Sequence, residues 1–412
     1  MPNKKYNWVV IGGGISGIVV AEILCREGNS VLLLEKNEYL ASETSKVFHE
    51  WLHTGALYTL MPDRMLTTRY LLGAIDDLIE FYDFFEGMNL IKTESGLMIQ
   101  ESGWFNDDPI LFKYRARKIN PIWEMVVAKS AIELDKISNH DWLRRRGGED
   151  YGKLKLFDSK MMSELRNIYI DNRRFYEKLS SDVTMNSRKL ITDILNHGIT
   201  NGLEIRVNEP VNDLDQRDDE VNIKTTNNNY LAENVAICSP DFISKHESLN
   251  IKESFAPMAV VDGVDDSVQN FVELDYYYKN CINLLKKGGG LGQVGGISLS
   301  DSSKVDDYLE FLIREHKKRN PNIKMVGTYV GVKKELTRKS QNRNYEYHIH
   351  KTNDNIWSIV LGKFTLAFSL GPEFFRRIYN KNPRVDYKMR AANEKSDFID
   401  TTTWKDVFSD NQ

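Results

Sequence analysis

The chain has few of the features that mark metal-binding and disulfide-bonded proteins. Its 412 residues include three cysteines, Cys25, Cys238 and Cys281, and no two of them form a C-x-x-C pair. This scatter gives no zinc or iron–sulfur motif and is typical of a reducing compartment. We therefore expect a cytoplasmic protein without a bound metal.

Long apolar runs and a strong net charge are also absent. No stretch approaches 18 uninterrupted apolar residues, so the sequence predicts no transmembrane segment. The 55 basic and 59 acidic residues give a net charge of −4, which provides no general attraction for nucleic acid. Peripheral contact with a membrane surface stays open.

Residues 8–36, WVVIGGGISGIVVAEILCREGNSVLLLEK, have the pattern of a nucleotide-binding unit, which we call the nucleotide cradle. An apolar run typical of a buried strand precedes Gly12, Gly14 and Gly17, which form a G-x-G-x-x-G turn into a helix. Such a turn lets a pyrophosphate approach the backbone at the positive end of the helix dipole. Glu35 ends the second strand, where a carboxylate can bind ribose hydroxyls. We expect a dinucleotide to bind here.

The order of elements after residue 180 separates flavin enzymes from nicotinamide enzymes. Residues 187–202 predict a helix that begins at Asn186 or Ser187, and residues 204–238 predict a small antiparallel meander leading into a last buried strand. A plain nicotinamide dehydrogenase would instead repeat strand and helix. The order therefore favours a flavin domain.

The remaining segments divide the chain into a discontinuous arrangement. We predict an α/β fold, with a Rossmann-like nucleotide domain and an inserted α+β domain built on an antiparallel sheet. The glycine cluster 288–296 predicts a hairpin or a mobile lid, and a helix near the C-terminus is expected to be interrupted at Gly371-Pro372 and capped by Thr365. The predicted parts are 1–85, 181–254 and 351–385 for the nucleotide domain, 86–180 and 255–350 for the substrate domain, and a C-terminal tail at 386–412. The tail is polar from about Asn393, and we expect it to be partly disordered from there.

Four stretches together resemble the FAD-dependent oxidoreductases of the D-amino acid oxidase superfamily, nearest the branch of flavin glycerol-3-phosphate dehydrogenase and L-2-hydroxyglutarate dehydrogenase. They are the cradle with its Glu35-Lys36 ending, the segment His53–Tyr58, the region around Val211, and the turn Gly362–Ala367. The resemblance implies a glutathione-reductase type fold and FAD as the cofactor. The cofactor contacts it implies, with those of the cradle, are Gly12, Gly14, Ile15, Ser16, Gly17, Glu35, Lys36, Thr44, Ser45, His53, Val211, Gly362, Lys363, Phe364 and Thr365.

The resemblance also implies an activity, in which a hydride passes from a small polar substrate to the flavin. A hydroxy acid, polyol phosphate, sugar derivative or amino acid would fit, with a separate and unidentified electron acceptor. Two alternatives remain open from the sequence. One is a flavin-binding or nucleotide-binding partner protein that has lost catalysis, and the other is an NAD-dependent dehydrogenase.

Three residues are candidates for the chemistry. His53 is the preferred base because its ordinary pKa suits proton transfer near neutral pH; it could instead hold its loop or link covalently to the flavin. Lys333 and Arg343 stand where the family carries substrate-binding arginines, and a lysine cannot form the bidentate contacts of an arginine. We therefore expect an anionic substrate without assuming the specificity of the relatives.

The sequence departs from the family at two places. Cys238 replaces the glycine that normally follows the last parallel strand in an A-x-G sequence. His49, Glu50 and Trp51 stand where the family usually has small residues. We expect a reshaped or narrowed pocket.

Overall fold

The computed structural model describes residues 4–58, 66–93, 96–117, 122, 125–126, 165–217, 219–275, 278, 280–338, 343–385 and 397–411. Within these residues the helices are α1 (Ile15–Arg26), α2 (Leu66–Tyr82), α3 (Ser187–Thr200), α4 (Pro240–His246), α5 (Val305–Arg319), α6 (Ala367–Tyr379) and α7 (Thr403–Ser409). Short 3-10 turns cover Ala56–Tyr58, Ser302–Lys304 and Phe364–Leu366. In this same part of the chain, none of the helices has both the length and the apolar character needed to cross a lipid bilayer.

The strands of the described residues fall into two large and two small sheets. They are β1 (Lys5–Ile11), β2 (Val31–Leu34), β3 (Trp51–Leu52), β4 (Leu90–Thr93), β5 (Gly96–Ile99), β6 (Phe105–Asn106), β7 (Ile110–Arg115), β8 (Arg166–Ile170), β9 (Arg173–Leu179), β10 (Val183–Met185), β11 (Glu204–Arg206), β12 (Val211–Arg217), β13 (Glu220–Thr225), β14 (Asn229–Ile237), β15 (Ile251–Asp262), β16 (Asn270–Asp275), β17 (Asn280–Gly288), β18 (Leu291–Gly296), β19 (Lys324–Leu336), β20 (Tyr347–Asn353) and β21 (Ile356–Leu361).

The first large sheet has a parallel centre with an antiparallel extension. Its order is β11-β2-β1-β14-β13-β12, and β21 also pairs with β14 in parallel. In the register at the centre, Val9 lies between Leu32 and Val235, and all three side chains are buried. A strand buried on both faces needs such a continuous apolar run. The expected meander is present as β12, β13 and β14.

The second large sheet is mostly antiparallel, in the order β19-β15-β18-β17-β16-β7-β9-β8. Only the pairing of β16 with β7 is parallel among its described strands. Phe112, Tyr114 and Leu274 from this sheet share a buried apolar cluster with Trp51, which belongs to the loop after the nucleotide cradle. The sheet therefore lies directly beside that loop. This agrees with the predicted fold class.

Helix α3 begins as predicted, and the Asn186 side chain accepts a hydrogen bond from Lys189 N at 3.1 Å. The glycine cluster forms the tight β17–β18 hairpin, with positive φ at Gly288, Gly289 and Gly290. Residues 397–411 of the tail include α7.

The prediction for the last core helix was wrong in two respects. Helix α6 continues through Pro372 without interruption, and the side chain of Thr365 does not cap it. The Thr365 hydroxyl instead accepts a hydrogen bond from His53 N at 3.1 Å. A proline inside a helix costs roughly 3 kcal/mol. Burial of Phe368, Phe374 and Phe375 on the same helix offsets that cost, because each buried phenylalanine contributes about 1.5–3 kcal/mol.

Candidate functional site

The glycine turn between β1 and α1 forms one wall of a cavity. Gly12 has φ +104°, and a methyl group placed on it would lie 3.1 Å from the Cys238 carbonyl carbon. A methyl group on Gly17 would overlap the Gly12 carbonyl oxygen. At Gly14, by contrast, the nearest atom to such a methyl group is the Ser45 hydroxyl, 3.6 Å away. Two of these glycines therefore serve chain packing, and Gly14 leaves space free beside the backbone.

This space belongs to a cavity of about 520 Å³ at the carboxyl ends of the parallel strands. That position is the usual one for a nucleotide in an open α/β sheet. Among its lining residues, those predicted from the sequence are Gly12, Gly14, Ile15, Ser16, Glu35, Lys36, Thr44, Ser45 and Val211.

Glu35 connects the glycine turn to the segment that follows β2. Its carboxylate accepts hydrogen bonds from Gly13 N at 2.6 Å and from Asn37 N at 2.9 Å. Burial raises the pKa of Glu35, and these two N–H groups oppose that shift by stabilising the charged form. Lys36 forms ion pairs with Glu43 at 2.7 Å and Asp241 at 3.0 Å. Glu35 is therefore suited to a ribose, whereas Lys36 organises the rim of the cavity.

The departure at Cys238 has a structural counterpart. Cys238 N donates to the Ile11 carbonyl at 2.8 Å, and the Cys238 backbone packs against Gly12. Ser239 then caps α4 by accepting from Phe242 N at 3.4 Å. The close approach between the two strand ends therefore depends on Gly12 instead of a glycine after β14.

A second, smaller cavity of about 130 Å³ adjoins the first. The two share the lining residues Ile15, Thr44, Ser45, Lys334 and Leu361. The smaller cavity is bounded by the loop after the cradle, by strand β19 and by the closing turn. Its other lining residues are Phe48, His49, Glu50, Trp51, His53, Met185, Ser187, Lys333, Gly362, Lys363 and Phe364.

Two lysines bring positive charge to the smaller cavity. Lys333 Nζ lies 4.1 Å from the centre of the Phe48 ring, and Lys363 Nζ lies 4.4 Å and 4.6 Å from the Tyr58 and Tyr345 rings. Burial lowers the pKa of Lys333 to about 8 and that of Lys363 well below its ordinary value. Among the described residues, no carboxylate lies within ion-pair distance of either Nζ. Burial without a carboxylate partner disfavours the charged form of each lysine, and a bound anion would favour it.

His53 lies between these lysines and a buried carboxylate. Its ring centre is 4.1 Å from that of Trp51, and its Nδ1 is 3.5 Å from Asp182 Oδ2. Burial lowers the pKa of His53 to about 4, although Asp182 acts to raise it. The imidazole is therefore neutral near pH 7 and can accept a proton.

The sequence did not point to Asp182, which the fold brings beside His53. This carboxylate is fully buried and accepts hydrogen bonds from Trp51 Nε1 at 2.9 Å and from Thr54 N at 2.8 Å. Asp182 precedes a short strand in a polar turn, with no motif around it. Its role depends on a contact between segments more than 120 residues apart, which spacing does not reveal.

The network around Glu50 was also missed. Glu50 has φ +59°, and its carboxylate pairs with Lys287 at 2.9 Å and accepts from Ser187 Oγ at 2.7 Å and Trp404 Nε1 at 3.0 Å. A single side chain thus joins four separate segments at the edge of the smaller cavity. The His49-Glu50-Trp51 departure is explained by this network and by the contacts of Trp51 with the second sheet.

Arg343 lies farther from the cavity than the sequence suggested. Its guanidinium forms a bidentate ion pair with Glu335, at 2.7 Å and 3.0 Å, and lies 5.0 Å from the Tyr345 ring. It is not among the residues that line either cavity. Its assignment as a substrate contact remains a proposal.

The two adjoining cavities fit a dinucleotide with a flavin at one end, because Gly14 and Glu35 line the larger cavity and Lys363 lines the smaller one. Comparison with known proteins identifies the family, since the model for DAO, FAD dependent oxidoreductase, matches residues 7–240. The chain belongs to this family. Its cofactor is FAD, which removes the NAD-dependent alternative.

Solved structures of low sequence identity have the same fold along nearly the whole chain. L-alpha-glycerophosphate oxidase from Mycoplasma pneumoniae with FAD bound superposes with a TM-score of 0.66 at 15% identity, covering 94% of this chain and 100% of that one. L-proline dehydrogenase from P. horikoshii gives 0.64 at 12% identity, covering 93% and 96%. Glycine oxidase from Geobacillus kaustophilus gives 0.61 at 11% identity, covering 97% and 98%.

A curated relative shares a short stretch of sequence. UDP-galactopyranose mutase of Mycoplasma pneumoniae is 40% identical over 56 residues, which are 12% of this chain and 14% of the mutase. The chain thus spans a small part of that relative's length.

Proposed function

We propose that the protein oxidises a small anionic substrate that carries a hydroxyl group, with FAD as the two-electron acceptor. The observation that carries the proposal is the smaller cavity, where the neutral imidazole of His53 adjoins two buried lysines without carboxylate partners. Bound FAD supplies a hydride acceptor at N5. The substrate class includes hydroxy acids and polyol phosphates, and the partner that reoxidises the enzyme is a further, unidentified acceptor.

Lys363, Lys333 and His53 have separate roles in this proposal, according to their positions. Lys363 follows Gly362 in the turn before α6, so its ammonium and the nearby helix start can hold negative charge at the pyrimidine end of a flavin. Lys333, from β19, is placed to bind the anionic group of the substrate. His53 accepts the hydroxyl proton. An amine can bind already neutral, so the presence of a base favours an alcohol over an amino acid.

The similar structures include an oxidase of L-alpha-glycerophosphate and enzymes named for proline and glycine. They motivate the choice of test compounds. The purified FAD-loaded protein is mixed without oxygen with glycerol 3-phosphate, L-lactate, glycine or L-proline, and with uncharged glycerol as the control. We expect glycerol 3-phosphate or L-lactate to bleach the flavin absorbance and glycerol to leave it unchanged.

Variants then test the assigned roles. His53→Ala should slow flavin bleaching on the order of a hundredfold, because the proton acceptor is lost. Lys333→Met should mainly raise the substrate concentration needed for half-maximal rate. Bleaching by glycine or proline alone would overturn the preference for an alcohol.

The match to a family of FAD-dependent oxidoreductases disfavours the alternative of a partner protein without catalysis. Failure of every compound to bleach the bound flavin would overturn the proposed substrate class.

A further inference from the structure

We infer that Asp182 is a positioning residue, which orients the His53 imidazole and stabilises it once it carries a second proton. This inference rests on the proposed function, because it names the group through which the base of that reaction acts. Asp182 itself does not line either cavity. It would act only through His53.

The geometry leaves one edge of the imidazole for Asp182 and the other for the cavity. His53 Nδ1 is buried without a hydrogen-bond partner, 3.5 Å from Asp182 Oδ2, while 16% of the side chain remains exposed. The exposed part therefore belongs to the rest of the ring, which lines the cavity. A hydrogen on Nδ1 would have Asp182 Oδ2 as a charged acceptor 3.5 Å from the nitrogen. That contact places the proton on Nδ1 and leaves Nε2 free to accept one.

The ring is held in place on its other sides. The His53 backbone N–H donates to Thr365 Oγ1, and the Trp51 ring packs against the imidazole. Trp51 and Thr54 in turn donate hydrogen bonds to Asp182. His53, Trp51 and Asp182 are therefore linked by direct contacts.

A purely structural role explains the burial of Asp182 less well. Its hydrogen bonds with Trp51 and Thr54 could be accepted by a neutral amide, without the cost of burying a charge. The imidazole of His53 lies 3.5 Å from Asp182 Oδ2. The negative charge of Asp182 would stabilise this imidazole once it becomes positive.

Other charged groups also face this pair. His53 lies near the ammonium groups of Lys363 and Lys333, which disfavour its protonation, and it adjoins His49. The charge of Asp182 is also felt by Lys178 and Tyr58. Both lysines disfavour a positive imidazole, and the negative charge of Asp182 favours it.

The proposed step balances in atoms and electrons. The substrate hydroxyl gives its proton to His53 Nε2 and a carbonyl product remains, while bound FAD would take up the hydride from the substrate carbon. The imidazolium then forms an ion pair with Asp182. The proton leaves His53 after the product departs.

One test needs no substrate. Long-range ¹H–¹⁵N NMR of the FAD-loaded protein resolves its eight histidines, and the His53→Ala variant identifies the His53 signals. We expect the His53 proton on Nδ1 in the wild type, and a shift toward the other tautomer in Asp182→Asn. A wild-type imidazole with its proton on Nε2 would overturn the inference, even if Asp182→Asn does not fold.

The second test follows anaerobic flavin bleaching by glycerol 3-phosphate or L-lactate across pH. Asp182→Asn should slow bleaching on the order of a hundredfold. Since the anion favours protonation of His53, its loss should also move the acid limb of the rate profile to lower pH. The double variant with His53→Ala should be no slower than His53→Ala alone. Additive losses, or an unmoved acid limb, would assign Asp182 a structural role.

Asp193→Asn is the matched control. Asp193 also accepts a hydrogen bond from a buried tryptophan, Trp104, at 2.7 Å, but it lies on α3 away from the cavity. This variant keeps an acceptor for the Trp104 hydrogen bond and should change neither the rate nor its pH profile. If wild-type protein is bleached by no compound, the proposed function fails, and the NMR result still decides the role of Asp182.

Discussion

At the scale of single residues, Gly14 and Gly17 have different neighbours although they belong to one motif. A methyl group on Gly17 meets the Gly12 carbonyl oxygen inside the protein. A methyl group on Gly14 meets the Ser45 hydroxyl at an ordinary distance of 3.6 Å and otherwise enters the cavity. Strand–helix packing therefore requires Gly17, whereas we expect Gly14 to be required for FAD binding.

This difference predicts opposite results for two substitutions. Gly14→Ala should leave the unfolding temperature of the FAD-free protein unchanged but weaken FAD binding by more than tenfold, about 1.4 kcal/mol. Gly17→Ala should lower the unfolding temperature of the FAD-free protein itself. Thermal unfolding and FAD titration measure both effects. Wild-type FAD affinity in Gly14→Ala would contradict the assignment.

At the scale of elements, the C-terminal segment 397–411 braces the loop beside the flavin cavity. Leu40 N donates to the Phe398 carbonyl at 2.8 Å, and Lys46 forms ion pairs with Asp400 at 2.5 Å and Asp406 at 2.8 Å. Trp404, on α7, reaches Glu50. The segment therefore connects the chain terminus to the loop that lines both cavities.

Removal of residues 397–412 should loosen that loop. We expect FAD to be released at a lower temperature, followed by the rise in flavin fluorescence, because the hydrogen bonds and ion pairs to Leu40, Lys46 and Glu50 are lost. Trp404→Phe keeps an aromatic ring and removes only the hydrogen bond to Glu50, so its effect should be smaller in the same direction. An unchanged release temperature in the truncated protein would show that the segment does not brace the loop.

At the scale of the whole molecule, the Glu50–Lys287 ion pair joins the nucleotide-binding part to the second sheet. Burial alone would raise the pKa of Glu50, but Lys287 and the bonds from Ser187 and Trp404 outweigh it and lower that pKa. A lowered pKa in the folded state stabilises the protein above the unfolded-state value, near 4.3. That stability is lost as pH falls through the folded-state pKa.

Lys287→Met should lower the unfolding free energy at pH 7 by about 3–5 kcal/mol, because Glu50 is left buried without its partner. It should also remove the part of the stability loss at acid pH that comes from protonation of Glu50. Urea unfolding over a pH series measures both. Lys351→Met, which breaks an exposed pair with Asp354, is the control and should change stability little. Equal effects of the two variants would contradict a structural role for the buried pair.

Features that depend on short stretches of sequence were predictable, and features that depend on packing in the core were not. Strand β1, the glycine turn, helix α3 and the β12–β14 meander were predictable, because apolar periodicity, glycines and caps act within short stretches. Helix α6 was not, because burial against the core carries it through Pro372. The division into a nucleotide domain and a substrate domain remains a prediction.

The sequence by itself determined the nucleotide cradle and the flavin family, since these depend on local backbone and on motifs with a chemical meaning. Only the tertiary structure decided which charges are paired: Arg343 with Glu335, Lys287 with Glu50, and Lys333 and Lys363 with no carboxylate among the described residues. It also placed Asp182 beside His53. Charge pairing depends on distances of a few ångströms between remote segments, and those distances exist only after the chain has folded.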